Sequence, residues 1–416
     1  MHHHNRPHGS LPARPSRLLA AAAAALGIAV LAGCSASAAP EETGSGGAPG
    51  ASTSAAGSNT RLAVTTPGGI TVLDSDVAGG SLSVAGSVDT EAFTRLNAFG
   101  DGKHLLVTTS QGFEVLDTET AAFTGQTFPA TAAGHVVRHG DATVLFDDGT
   151  GRTTILDRDG LLGDASSSTP RHHDAADPHH GVSIVLADGT LLTTVGNADA
   201  RSGAVALEPH DDHWHDLAQS DECPSIHGEG TAANEAVVFG CENGALLYSD
   251  GAFTKLNAPD AYGRMGNAYT SEHSPLVVGD YKNDPDAEGY LLSQVALIDT
   301  AAKTLAVHEL PERVRYTYRD VVRGPEGHAY ILSTDGSIHV LDAKTGEIVD
   351  EFAVVAPWEG PANWQDAHPT IVADGDIAYV TEPAARAVHT VDLASGKVIA
   401  SVTLDAAPNE IAVALG

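Results

Sequence analysis

Short runs of β-branched and apolar residues, each closed by an aspartate, recur along most of the chain. They are GITVLD at 69–74, GFEVLD at 112–117, RTTILD at 152–157, QVALID at 294–299, SIHVLD at 337–342 and AVHTVD at 387–392. Most follow a Gly-containing turn and an earlier β-rich run such as HLLVTT or HAYILST, so each reads as one strand of a hairpin. No stretch carries a long helical pattern. The closing aspartates at 74, 117 and 157 are 43 and 40 residues apart, those at 299 and 342 are 43 apart, and 342 to 392 is 50. These are the periods of β-propeller blades.

The interval from Asp157 to Asp299 is 142 residues, about three blade lengths, so two degenerate blades belong inside it. SGAVALE at 202–208 and GALLYSD at 244–250 fill those places. The expected fold is therefore all-β, a propeller of eight blades, with seven as the alternative if one copy is an insertion. The first blade, starting near Arg61, lacks an innermost strand, and the last run, Glu410 to Leu415, has no strands after it. Pairing the two closes the ring and removes free sheet edges.

The N-terminus carries a different pattern. Arg6, Arg14 and Arg17 precede an apolar, alanine-rich stretch from Leu18 to Ala32, and Leu31-Ala32-Gly33-Cys34 resembles a bacterial lipobox. Residues 1–33 are thus expected to be a lipoprotein signal peptide, with cleavage before Cys34 and a lipid on its thiol. Residues 34–60 form a flexible tether rich in Ala, Gly, Ser, Thr and Pro, and 61–416 form the propeller. The expected location is the cell envelope, at the outer face of the cytoplasmic membrane. Export also bears on the remaining cysteines: Cys223 and Cys241, in an oxidising compartment, are expected to form a disulfide.

The chain holds 22 Lys and Arg against 54 Asp and Glu, a formal charge of −32. Removing the leader takes three arginines and no acid, leaving 19 basic residues. Such a chain repels phosphate backbones, which argues against nucleic acid and favours cations. Four of the 21 histidines, His2, His3, His4 and His8, leave with the leader, and 17 remain.

Several of these fall at related repeat positions. His180, His227, Asp320 and His368 stand close to the start of an innermost strand in their blades, when repeats are aligned on turn positions such as Asp374 and Glu326. Innermost strands begin at the propeller axis, so these four are expected to converge there. Three imidazoles and a carboxylate suit zinc better than calcium or copper(I). His179 is the nearest substitute for His180, and His135, whose register is about two residues late, is a reserve ligand. Two local clusters could hold further metal: His172 and His173 in RHHDAADPHH, a loop leading toward the site, and His210, His213 and His215 in PHDDHWHD. No HExxH, GxSxG or P-loop pattern occurs, and four protein ligands leave no open position for hydrolysis, so an enzyme is not expected.

PHHGVSIVLADGTLL, CPSIHGEG, YRDVVRGPEGHAYIL and DAHPTIVADGDIAYVTEP together resemble the AztD-type zinc metallochaperones, and the similarity runs from about residue 61 to the end. The resemblance implies an extracytoplasmic protein that binds zinc in its propeller through His180, His227, Asp320 and His368. It would pass the ion to the solute-binding protein of a zinc ABC importer, acting as a monomer. Relatives that transfer zinc directly carry a histidine-rich stretch near the mature N-terminus, whereas residues 35–60 here contain none. The 171–180 loop is the expected replacement. The competing readings are a metal-dependent propeller enzyme and a metal-free surface scaffold. Because imidazole binds metal only when neutral, affinity is expected to fall below about pH 6.

Overall fold

The computed structural model describes residues 59–158, 169–210 and 213–416. The expected signal peptide, the expected lipidation at Cys34 and the expected tether as far as residue 58 lie outside the described residues.

Among the described residues eight sheets of four antiparallel strands follow one another along the chain, and in blade 5 a short β20 (Gly263–Arg264) adds a parallel fifth. In seven of them the four strands come in chain order, from β4–β7 (Arg95–Ala98 to Ala122–Pro129) in blade 2 to β29–β32 (Ile371–Asp374 to Lys397–Thr403) in blade 8. Blade 1 is built from both ends. Its β1 (Thr60–Thr66), β2 (Gly69–Asp76) and β3 (Ser81–Asp89) are completed on the inside by β33 (Ile411–Val413), which pairs with β1 through Leu62↔Val413 and Val64↔Ile411. The ring closes as its unpaired ends require, and the count is eight.

Burial follows the layering. Second and third strands are covered on both faces because blades stack face to face, as in β5 (His104–Thr109) and β17 (Ala236–Cys241). Fourth strands alternate toward solvent, as in β15 (His213–Ser220). The apolar core is accordingly divided into wedges, one between each pair of neighbouring blades. Val182, Leu192 and Ala204 of blade 4 meet Val237, Phe239 and Leu246 of blade 5 in one of them. Leu62, Val64 and Leu73 of blade 1 meet Tyr379 and Val388 of blade 8 in another, so the closing interface is packed like the rest.

The repeated aspartate has a local cause. At the end of a third strand its Oδ1 accepts backbone N–H groups of the next turn: Asp117 from Glu119 and Thr120, Asp299 from Ala301 and Ala302, Asp342 from Lys344 and Thr345. A short acceptor side chain is what such a turn needs. These hydrogen bonds offset partial burial and hold Asp117 and Asp342 below the usual carboxylate range.

Cys223 and Cys241 are joined, and both sulfurs lie in the wedge between blades 4 and 5. The bridge spans 18 residues and pins the chain entering blade 5 to the end of β17. Closing a loop of that length restricts the unfolded chain by about 3 kcal/mol. Reduction should therefore lower the stability of the closed ring by about 2 to 4 kcal/mol, measured by denaturant unfolding with and without reductant. An unchanged midpoint would contradict this role.

Candidate metal centre

Three imidazoles converge: His135 of blade 3, His180 at the approach to blade 4 and His227 of blade 5. Their ring centroids are 4.9, 5.2 and 5.2 Å apart, and one nitrogen from each lies within 4.8 Å of the others. His135 and His227 are partly buried while His180 is exposed. They line one wall of a cavity of about 830 Å³, shared with Asp148, Arg264, Asp280 and Tyr318.

Irregular backbone aims two of the three rings. His135 falls in a register shift of β8 (Ala133–His139), between the pairs Ala133↔Asp147 and Val136↔Leu145. His227 opens β16 (His227–Ala232) at a second shift, between His227↔Gly240 and Glu229↔Phe239. A β-bulge turns side chains away from simple alternation. Gly228, at φ +61°, makes the second bulge possible, since a Cβ there would sit 2.3 Å from the Gly266 carbonyl oxygen. Gly134 has a related duty: a Cβ would stand 2.3 Å from Oδ1 of Asp148.

Each ring is held by Nδ1. His135 Nδ1 donates to the Gly181 carbonyl at 2.8 Å, His227 Nδ1 to the Gly266 carbonyl at 2.8 Å, and His180 Nδ1 pairs with Asp148 Oδ2 at 2.5 Å. This leaves three Nε2 atoms for a common centre. Fixing one imidazole nitrogen on a carbonyl or carboxylate is how metal-binding histidines are oriented. Two zinc–nitrogen bonds of 2.0–2.1 Å at a tetrahedral angle separate their nitrogens by about 3.3 Å, so a small contraction of the cluster completes the set.

Burial, together with the nearby His227 and His180, takes His135 down to about 3 despite the opposing bond to Gly181. Burial likewise takes His227 to about 4, with His180, Arg264 and Arg201 adding to it. Both imidazoles are therefore neutral above pH 5 and ready to coordinate. Asp280 does not compete for the cation, because Oδ1 accepts from Gly266 and Asn267 N–H and Oδ2 from the Asn267 amide.

Of the four ligands expected at the axis, the structure brings together His180 and His227 and sets Asp320 and His368 apart. These two belong to blades 7 and 8, and Thr317 joins them: its N–H donates to Asp320 Oδ2 at 2.5 Å, and its hydroxyl lies 3.1 Å from His368 Nε2. His368 Nδ1 donates to the Asp366 carbonyl, and its ring stacks on Trp358. Both are buried, and burial raises Asp320 to about 7 and lowers His368 to about 4. Their expected common register also fails. Leu332 N–H bonds the Asp320 carbonyl just as Thr381 N–H bonds that of Thr370, so Asp320 matches Thr370, two residues beyond His368. The cause is turn length. A helical turn at Pro325–Gly327 separates β25 (Val321–Arg323) from β26 (Ala329–Leu332), where a tight turn joins β29 to β30 (Ile377–Glu382).

His179 is no substitute ligand, since its two nitrogens are engaged by the Asp177 carbonyl and by Thr194 while its ring packs on Phe146. His172 and His173 belong to a strand rather than a loop: β11 (Arg171–Asp174) is the outer edge of blade 3. Only the segment after Asp174 leads toward His180. His210, His213 and His215 form a second, exposed cluster on the hairpin of β14 (Arg201–His210) and β15. What alignment by repeat missed was adjacency to glycine. Gly134-His135, His180-Gly181 and His227-Gly228 share it, whereas Asp320 and His368 do not; His139-Gly140 and Gly327-His328 share it too, outside the cluster.

Two predictions follow from this geometry. Asp148→Ala should weaken zinc binding about 10- to 100-fold, read by chelator competition, and unchanged affinity would remove Asp148 from the site. At pH 6, three ordinary imidazoles with values near 6.5 would give up about two protons on binding zinc. Here His135 and His227 are already neutral, so calorimetry in buffers of different ionisation heat should show at most one. Release of two or more would contradict the burial account.

No family model matches the chain. Among solved structures, it is similar to AztD from Citrobacter koseri, in an apo structure and in a second crystal structure. Both superpose with a TM-score of 0.68 at 19% identity over 85% of this chain and 97% of that one. A dihydro-heme d1 dehydrogenase, NirN, in complex with DHE, is more distant, at TM-score 0.56 and 12% identity over 85% of this chain and 75% of its own. The chain is thus an eight-bladed β-propeller of the architecture seen in Citrobacter koseri AztD.

Proposed function

We propose that this protein is an extracytoplasmic zinc metallochaperone that carries one zinc ion on His135, His180 and His227 and hands it to the solute-binding protein of an ABC importer. The observation that carries the reading is the trio of clustered imidazoles whose Nδ1 atoms are all fixed, which leaves their Nε2 atoms to take the ion. Zinc is the cargo best suited to neutral imidazoles in a cavity without thiolate. The fold shared with Citrobacter koseri AztD supports it, as do the lipobox-like leader and the acidic surface.

Three protein donors leave a fourth tetrahedral position. In a carrier that position serves delivery: a ligand of the recipient enters there first, and the imidazoles leave one at a time, so the ion is never free in water. His180, the exposed member, is the first to let go. The same open position favours a second reading. Three histidines and a water are also the donor set of hydrolytic zinc, and the argument against catalysis from a filled site does not apply to three ligands.

Mixing the zinc-loaded protein with an apo solute-binding protein of a zinc importer from the same organism separates the two. Carriage predicts transfer that an excess of slow chelator does not intercept, and its loss in His135→Ala. Interception by the chelator, with zinc-dependent turnover of phosphoester or amide substrates, would favour the hydrolase.

A further inference from the structure

The β14–β15 hairpin of blade 4 runs on past the usual turn, as β2–β3 of blade 1 also does. In blades 2, 6, 7 and 8 the third strand ends on the aspartate that caps the turn, at Asp117, Asp299, Asp342 and Asp392. In blade 4 the matching residue is Glu208, and the two strands stay paired past it, from Glu208↔His215 to His210↔His213. Its three histidines add nothing to the wedges between blades, since His210, His213 and His215 are all exposed, while Trp214 packs on the wedge between blades 3 and 4.

It does gather three imidazoles. Directly opposed residues in an antiparallel pair share a face, and so do residues two apart in one strand. His210, His213, His215 and Glu208 therefore form one patch. The His213 and His215 Nε2 atoms are 3.1 Å apart, and the ring centroids of the three histidines lie 4.7, 4.8 and 5.5 Å from one another. One nitrogen from each falls within 4.8 Å of the others.

Trp214, between the two strand histidines, points to the opposite face. Its indole N–H donates to the His172 carbonyl at 2.9 Å, and its ring lies against His173 and under the Arg171 guanidinium. That contact fastens the hairpin to β11 of blade 3, so the histidine patch stands on an anchored ribbon. The same contact joins the two histidine clusters that the sequence offers separately.

We propose that His210, His213 and His215 form a second divalent-metal site, separate from the central one, that takes zinc or a cation of similar preference. Glu208, opposite His215, lies on the same face but is not one of the three clustered donors, so the fourth position falls to solvent. The 3.1 Å nitrogen separation is close to the roughly 3.3 Å that two zinc–imidazole bonds require. This site differs from the central one in exposure. The central rings are set by two backbone carbonyls and a carboxylate, and two of the three are partly buried, whereas the hairpin rings are all exposed. It should accordingly bind at least tenfold more weakly and exchange faster.

Equilibrium dialysis of the full chain against zinc alone, with metal counted by mass spectrometry, tests the proposal. The expected result is two equivalents for the natural chain, one for His213→Ala/His215→Ala and one for His135→Ala/His227→Ala. The hairpin variant should keep the natural thermal transition, because its altered side chains are exposed. A hairpin variant that retains every equivalent of the natural chain overturns the proposal. The central variant is scored separately, so failure of the central site leaves the hairpin result readable.

Discussion

Three imidazoles gathered in one place repel each other as soon as they are charged, and each must give up rotational freedom to share a ligand. The site depends on removing both costs before any metal arrives. Hydrogen bonds from Nδ1 to the Gly181 and Gly266 carbonyls and to Asp148 fix the rings, and burial keeps His135 and His227 neutral. The propeller supplies the acceptors because its inner ends are where backbone from neighbouring blades meets. The Gly181 carbonyl that holds His135 of blade 3 belongs to the segment entering blade 4. The Gly266 carbonyl that holds His227 of blade 5 belongs to the segment entering blade 6.

The architecture was legible because it is repetitive. Aspartates recur at blade spacing, and in four blades the reason is visible: Asp117, Asp299, Asp342 and Asp392 accept hydrogen bonds from backbone N–H groups of the turn that follows. Closure by β33 and the Cys223–Cys241 bridge follow from equally general needs, an unpaired edge and two thiols in a chain expected to be exported. The site was legible in part, for the opposite reason. Binding residues sit where a blade departs from its repeat, so alignment by repeat is least reliable there. Counting back from Glu326 failed at Asp320 because the intervening turn is longer than its counterpart in blade 8. His135 and His227 stood out of register because each lies at a bulge.

Replacing a four-ligand picture by three histidines alters the mechanistic reading. A closed four-coordinate site would hold its ion until a protein ligand dissociated, which suits storage or structure. An open position with one exposed imidazole suits exchange, and an acidic surface draws cations toward it. The Asp320–Thr317–His368 group then has a structural task, tying the entrance of blade 7 to that of blade 8.

The central claim, that zinc lies among bulge-aimed imidazoles in blades 3 to 5, is tested most directly by locating the ion. Anomalous difference maps from crystals of the zinc-loaded protein, recorded on both sides of the zinc absorption edge, would do so. The account predicts the strongest peak between the Nε2 atoms of His135, His180 and His227. A strongest peak beside Asp320 and His368, with the three imidazoles bare, would contradict it.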